Sequence, residues 1–173
     1  MQFFSGFSLQ NESYLFNEYL SRSDYSVVGF SYGAIKAFNH VKQQLASGKR
    51  IDTLQLISPV FFQRNASKFK KLQMLTYTKN ELAYMSQFMN SCFDPYEKKI
   101  VEHNETTIEE LEELLYYEWD LEELQELVDK GVKLEVYLGK KDKIIDVTGA
   151  KELFLQVATV TCIKDANHFL QIN

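Results

Sequence analysis

Ser31, Asp142 and His168 are residue types that together can carry out acyl transfer, and each stands where the chain leaves an apolar run. A serine hydroxyl is a poor nucleophile until an imidazole takes its proton. The imidazole in turn needs a carboxylate to fix its tautomer and steady its charged form. Ser31 lies in Val27-Val28-Gly29-Phe30-Ser31-Tyr32-Gly33-Ala34, which fits the pattern G-x-S-x-G. That pattern turns a strand sharply into a helix, so the positions two residues either side of the serine must be small where the elements converge. Gly29 and Gly33 meet the requirement.

The other two members are chosen against rivals. Asp142 lies in the first loop after the run Leu134–Leu138, whereas Asp146, the alternative acid, is placed to cap the helix that follows. Of the three histidines, His40 falls within the helix after the serine and His103 in a polar helix junction. Only His168 follows a strand at the expected edge. An oxyanion formed beside Ser31 would need backbone donors, and the candidates are the N–H groups of Tyr32, next after the serine, and Phe7, in the loop after the first strand.

The elements that must position these residues alternate. Strands are expected at Gln2–Gly6, Tyr25–Phe30, Leu54–Ile57, Val132–Leu138 and Ala158–Ile163, with helices at Tyr32–Ala46 and Asp146–Gln156. Asn11 is read as the cap of a further helix through Leu20, after a loop at Phe7–Gln10. Residues 61–130 read as helices only, broken near Asn80, Asp94, Asn104 and Asp120. The order serine, acid, histidine is the one α/β-hydrolases use. The expected architecture is therefore a minimal α/β-hydrolase, a single domain over 1–173 with about five parallel strands. A helical cap is inserted at about 61–130, before the acid strand.

Length and composition suit one domain with an adequate core, 45% of its 173 residues being hydrophobic. Net charge is -5, yet Val101–Asp129 holds twelve of the 24 carboxylates and no Lys or Arg, leaving a basic remainder. The acid run is threaded with leucines at helical spacing and reads as a solvated amphipathic pair. No basic stripe interleaved with aromatics suggests nucleic acid, and no apolar run approaches the roughly 20 residues of a membrane helix. A soluble cytoplasmic protein is expected. Cys92 and Cys162 lack metal-site or disulfide spacing and are read as reduced thiols, and the chemistry requires neither metal nor organic cofactor.

Ser5–Ser13, Gly29–Ala37, Gly139–Asp146 and Asp165–Gln171 together resemble the BioV-type pimeloyl-[acyl-carrier protein] methyl ester esterases of biotin synthesis, a likeness that covers essentially the whole chain. The resemblance implies a serine esterase that removes the methyl group from a carrier-bound C7 dicarboxylate and releases methanol. It implies an acyl carrier protein bearing a methyl pimeloyl chain as partner. The basic cluster Arg64, Lys68, Lys70 and Lys71 is then the expected carrier site, with Phe61, Phe62, Phe69 and Met74 lining an acyl channel. The alternatives are a small-substrate carboxylesterase or thioesterase and, outside catalysis, a hydrolase-fold binding protein.

Overall fold

Five short runs pair into one parallel sheet in the computed structural model, which describes residues 1–173. Strands β1 (Gln2–Phe4), β3 (Ser26–Phe30), β4 (Thr53–Ile57), β6 (Lys133–Gly139) and β7 (Thr159–Ile163) lie side by side in that order. Two further strands, β2 (Leu9–Gln10) and β5 (Glu102–His103), form a separate antiparallel pair. The register aligns Val27, Leu54 and Leu134 across the sheet, and next to them Val28, Gln55 and Glu135. Alternation sends the first set to one face and the second to the other.

Helices α1 (Gly33–Ala46), α5 (Leu121–Asp129) and α6 (Val147–Phe154) pack on the first face. These helices belong to the connections β3 to β4, β4 to β6 and β6 to β7, which advance the same way across the sheet, and crossovers of one hand then leave their helices on one side. Trp119 keys this layer: its ring meets Phe38 and Phe154 edge-on at 5.6 and 5.2 Å, and its indole N–H donates to the Val60 carbonyl at 2.7 Å. The opposite face is covered by a 3₁₀ segment, Glu12–Phe16, and by aromatic rings from distant stretches. Phe16 lies 4.7 Å from Phe30, Phe30 5.0 Å from Phe169, and Phe169 4.3 Å from Phe93.

Between β4 and β6 run α2 (Ser67–Lys79), α3 (Glu81–Phe93), α4 (Ile108–Tyr116) and then α5. Asn80, Thr107 and Asp120 cap α3, α4 and α5 with side-chain oxygens, which explains the breaks near Asn80 and Asp120. Two expectations need correction. The insert is not helical throughout, because β5 lies within it and pairs Glu102 and His103 with Gln10 and Leu9. Asn11 caps no helix: its backbone is left-handed at φ 61° and its amide donates to Glu102 at 2.7 Å, so a single 3₁₀ segment follows. No helix is long and apolar enough to cross a membrane. Cys92 is buried and Cys162 half-buried, both as free thiols.

The glycines of the serine turn admit no side chain. A Cβ on Gly33 would stand 2.1 Å from the Phe4 carbonyl oxygen, and one on Gly29 2.4 Å from that of Gly33. Gly33→Ala is therefore expected to cost about 3 kcal/mol or more. Gly48, at φ 75° with open space around it, should lose only about 1 kcal/mol on substitution by alanine. Urea unfolding followed by circular dichroism checks the contrast, and equal losses would contradict it.

Candidate active site

The end of β3 places Ser31 at φ 52°, a left-handed conformation that residues with a side chain adopt rarely. Its N–H donates to the Ile57 carbonyl at 2.9 Å and its own carbonyl accepts from Ala34 at 3.0 Å, so the backbone on both sides of the hydroxyl is engaged. From the end of β6, Asp142 accepts the Ile144 N–H on Oδ1 at 2.7 Å, which turns Oδ2 toward the neighbouring loop. Gly139 makes this approach possible, since a Cβ there would lie 2.3 Å from the Asn167 carbonyl oxygen.

His168 completes the arrangement from the loop after β7. Its Nδ1 is 2.6 Å from Asp142 Oδ2 and its Nε2 is 3.0 Å from Ser31 Oγ. The Asp142 and His168 side chains are almost wholly shielded from solvent and Ser31 is buried. The chain of contacts sets the tautomer: with Nδ1–H donated to the carboxylate, Nε2 is free to take the serine proton.

Other predicted residues fall elsewhere. Asp146 accepts the Gly149 N–H at 2.9 Å and so caps α6. His40 packs in α1 against Phe4, at 5.3 Å between ring centroids, and His103 is exposed in β5, not at a helix junction. Phe7 and Tyr32 lie together, their rings edge-on at 6.2 Å, and neither backbone N–H donates within the chain. No cluster of three or more His, Cys, Asp or Glu side chains is placed to hold a metal ion.

An apolar cavity of about 580 Å³ opens between α2, α3 and α4, lined mainly by Phe62, Phe69, Tyr84, Phe88 and Leu114, with Ile144 from the acid loop. Phe88 meets Phe7 edge-on at 5.9 Å, so a row of aromatic rings runs from the cavity wall through Phe7 to Tyr32. Of the residues expected to line an acyl channel, Phe62 and Phe69 line this cavity. Phe61 instead packs in the core against Phe154, and Met74 stands against the core edge. The basic cluster is also divided. Lys70 is buried, its ammonium 5.1 Å from the centroid of Tyr116, so it presents no charge to a partner. Arg64 is paired with Glu152 at 2.6 Å, whereas Lys68 and Lys71 are exposed.

Several positioning residues went unread in the sequence. Ser58, at φ 41°, donates its hydroxyl to the His168 carbonyl at 2.8 Å. Asn167 is wholly buried; its amide donates to the Phe93 carbonyl at 2.7 Å and its oxygen accepts from Phe169 and Gln171. The Ser-Pro strand end and the Asn-His pair were visible, but nothing local said what they would hold. The acid run is mostly solvated, yet Tyr32 donates its hydroxyl to Glu113, and Lys36 pairs with Glu110 at 3.4 Å while lying over the Tyr32 ring. Burial and then the bond to Glu113 push the Tyr32 phenol up from its ordinary value, so it remains a donor.

No protein-family model and no curated protein sequence matches the chain. Solved structures do. The chain is similar to BioG from Haemophilus influenzae, at 10% identity over 98% of this chain and 88% of that one, with TM-score 0.56. An esterase from Exiguobacterium antarcticum gives 13% identity, 97% and 85% coverage and TM-score 0.58. Naproxen esterase from Bacillus subtilis gives 16% identity and TM-score 0.53 over 85% of this chain. The chain spans only 54% of that larger enzyme. At such identities the likeness is one of fold, and together with the five-stranded parallel sheet it establishes an α/β-hydrolase fold.

Proposed function

We propose that the protein is a serine hydrolase of carboxylic esters, a reading carried by the unbroken hydrogen-bonded series from Ser31 through His168 to Asp142. Ser31 Oγ attacks the ester carbonyl as His168 Nε2 takes its proton. The carbonyl oxygen becomes an oxyanion facing the N–H groups of Phe7 and Tyr32. Collapse of the tetrahedral intermediate expels the alcohol, which receives the proton from His168 and leaves an acyl-enzyme. Water then repeats the sequence, with His168 again base and then acid, releasing the carboxylic acid and restoring Ser31. Asp142 holds the ring and steadies its charged form throughout.

The substrate proposed is the methyl ester of a pimeloyl chain on acyl carrier protein, with methanol as the leaving alcohol. The resemblance in sequence supports it, and so does an apolar cavity of a size suited to an acyl chain beside the acid loop. Lys68 and Lys71, one turn apart on α2 and both exposed, are the proposed contacts for the acidic carrier. A small free ester or thioester requires neither lysine, and that difference separates the readings.

Labelling with a fluorophosphonate should modify the wild-type protein and fail in Ser31→Ala. His168→Ala should lose about 10⁴-fold in ester hydrolysis while remaining folded. Labelling that survives Ser31→Ala would end the assignment. Asp142→Asn should cost turnover by orders of magnitude, whereas Asp146→Ala should cost only about 1 kcal/mol of stability through its lost cap. Steady-state kinetics with thermal unfolding distinguishes the two. Reversal of Lys68 and Lys71 to Glu should raise KM for the carrier-bound ester severalfold, more steeply at low salt, and leave a free methyl ester unaffected. Equal effects on both substrates, or none, would remove the lysines from the carrier site.

A further inference from the structure

Glu12 is a carboxyl wholly shielded from solvent and outside the series of side chains just described. One oxygen accepts the Gly6 N–H at 2.8 Å and the other has no hydrogen-bond partner. An orphaned buried oxygen works against stability, so a residue kept only to fill space would be better apolar. We propose that Glu12 is a positioning residue for the oxyanion loop, acting through the Gly6 peptide on the Phe7 N–H. The inference rests on the reading of Ser31 as nucleophile and Phe7 as donor.

The geometry of the loop supports it. Gly6 donates its N–H to Glu12 and accepts the Leu9 N–H on its carbonyl at 3.1 Å. These two bonds fix the peptide planes on either side of the Gly6 Cα. In a planar trans peptide the N–H points opposite to the C=O, so holding the Gly6 carbonyl on Leu9 sets the direction of the Phe7 N–H. The loop relaxes poorly, because Ser8 and Asn11 both have left-handed backbones, at φ 62° and 61°, and the Ser8 carbonyl accepts from Asn104 at 2.8 Å. Glu12 itself is anchored, since it opens the 3₁₀ segment whose Phe16 is buried against Phe30, and Phe30 also supports the His168 ring at 5.1 Å. The carboxyl thus transmits the position of the sheet to the oxyanion loop.

The test uses the intact protein, a small methyl ester and a boronic acid that mimics the tetrahedral intermediate. Glu12→Asp keeps the carboxyl group but falls a methylene short of Gly6, and it should lower kcat by about tenfold or more, with KM within twofold. Affinity for the boronic acid should fall in parallel. Glu12→Gln keeps an acceptor and should restore kcat to within about threefold. Glu12→Asp with wild-type kcat and boronate affinity, or one that no longer folds, overturns the proposal. Failure of the wild-type protein to hydrolyse any ester would refute the parent reading instead.

Discussion

A side-chain-bearing residue forced to φ 52° stores on the order of 1–3 kcal/mol, and the fold is arranged so that Ser31 cannot relax. Relaxation would move the start of α1, but α1 is pressed so closely on the end of β1 that Gly33 has no room for a methyl group beside the Phe4 carbonyl. It would also break the bond from Ser31 to Ile57 on β4. The serine turn is therefore held from the two strands that flank β3, and the sheet fixes the hydroxyl more than the turn does.

The same economy governs its neighbours. Asp142 and His168 meet because Gly139 lets two loops touch, and Ser58, at the end of β4, holds the His168 carbonyl. Asn167 ties that loop to the carbonyl at the end of α3. The insert reaches the site at two more points, Glu113 on the Tyr32 hydroxyl and β5 alongside the loop that bears Phe7. The helices over the sheet thus grip the residues on which the proposed chemistry depends, while their inner faces form the apolar cavity.

The five strands and most helix limits were legible because they follow from alternation, helical period and local caps, all properties of adjacent residues. Asn80, Thr107 and Asp120 announce their helices from within three residues. What escaped was non-local. Leu9-Gln10 and Glu102-His103 are too short to read as strands and find each other only because the sheet brings their loops together. Glu12 looks like any surface glutamate until Phe16, four residues on, is seen beneath Phe30. Lys70 was misjudged for a simpler reason. Two residues along a helix turn the side chain by about 200°, so Lys68 and Lys70 cannot share a face, and the Lys70 stem goes inward against Tyr116.

The distances along the chain that separate these partners have a bearing on how the molecule comes into being. Ser31 and His168 are 137 residues apart, and Asn11 and Glu102, which join the loop after β1 to the insert, are 91 apart. No helix or hairpin formed early can align them, and parallel strands with distant pairings assemble slowly. Under the proposed chemistry, a chain with its sheet formed but its last loop undocked has a serine with no base. Recovery of turnover on refolding then marks the moment when His168 reaches Ser31 rather than when secondary structure appears.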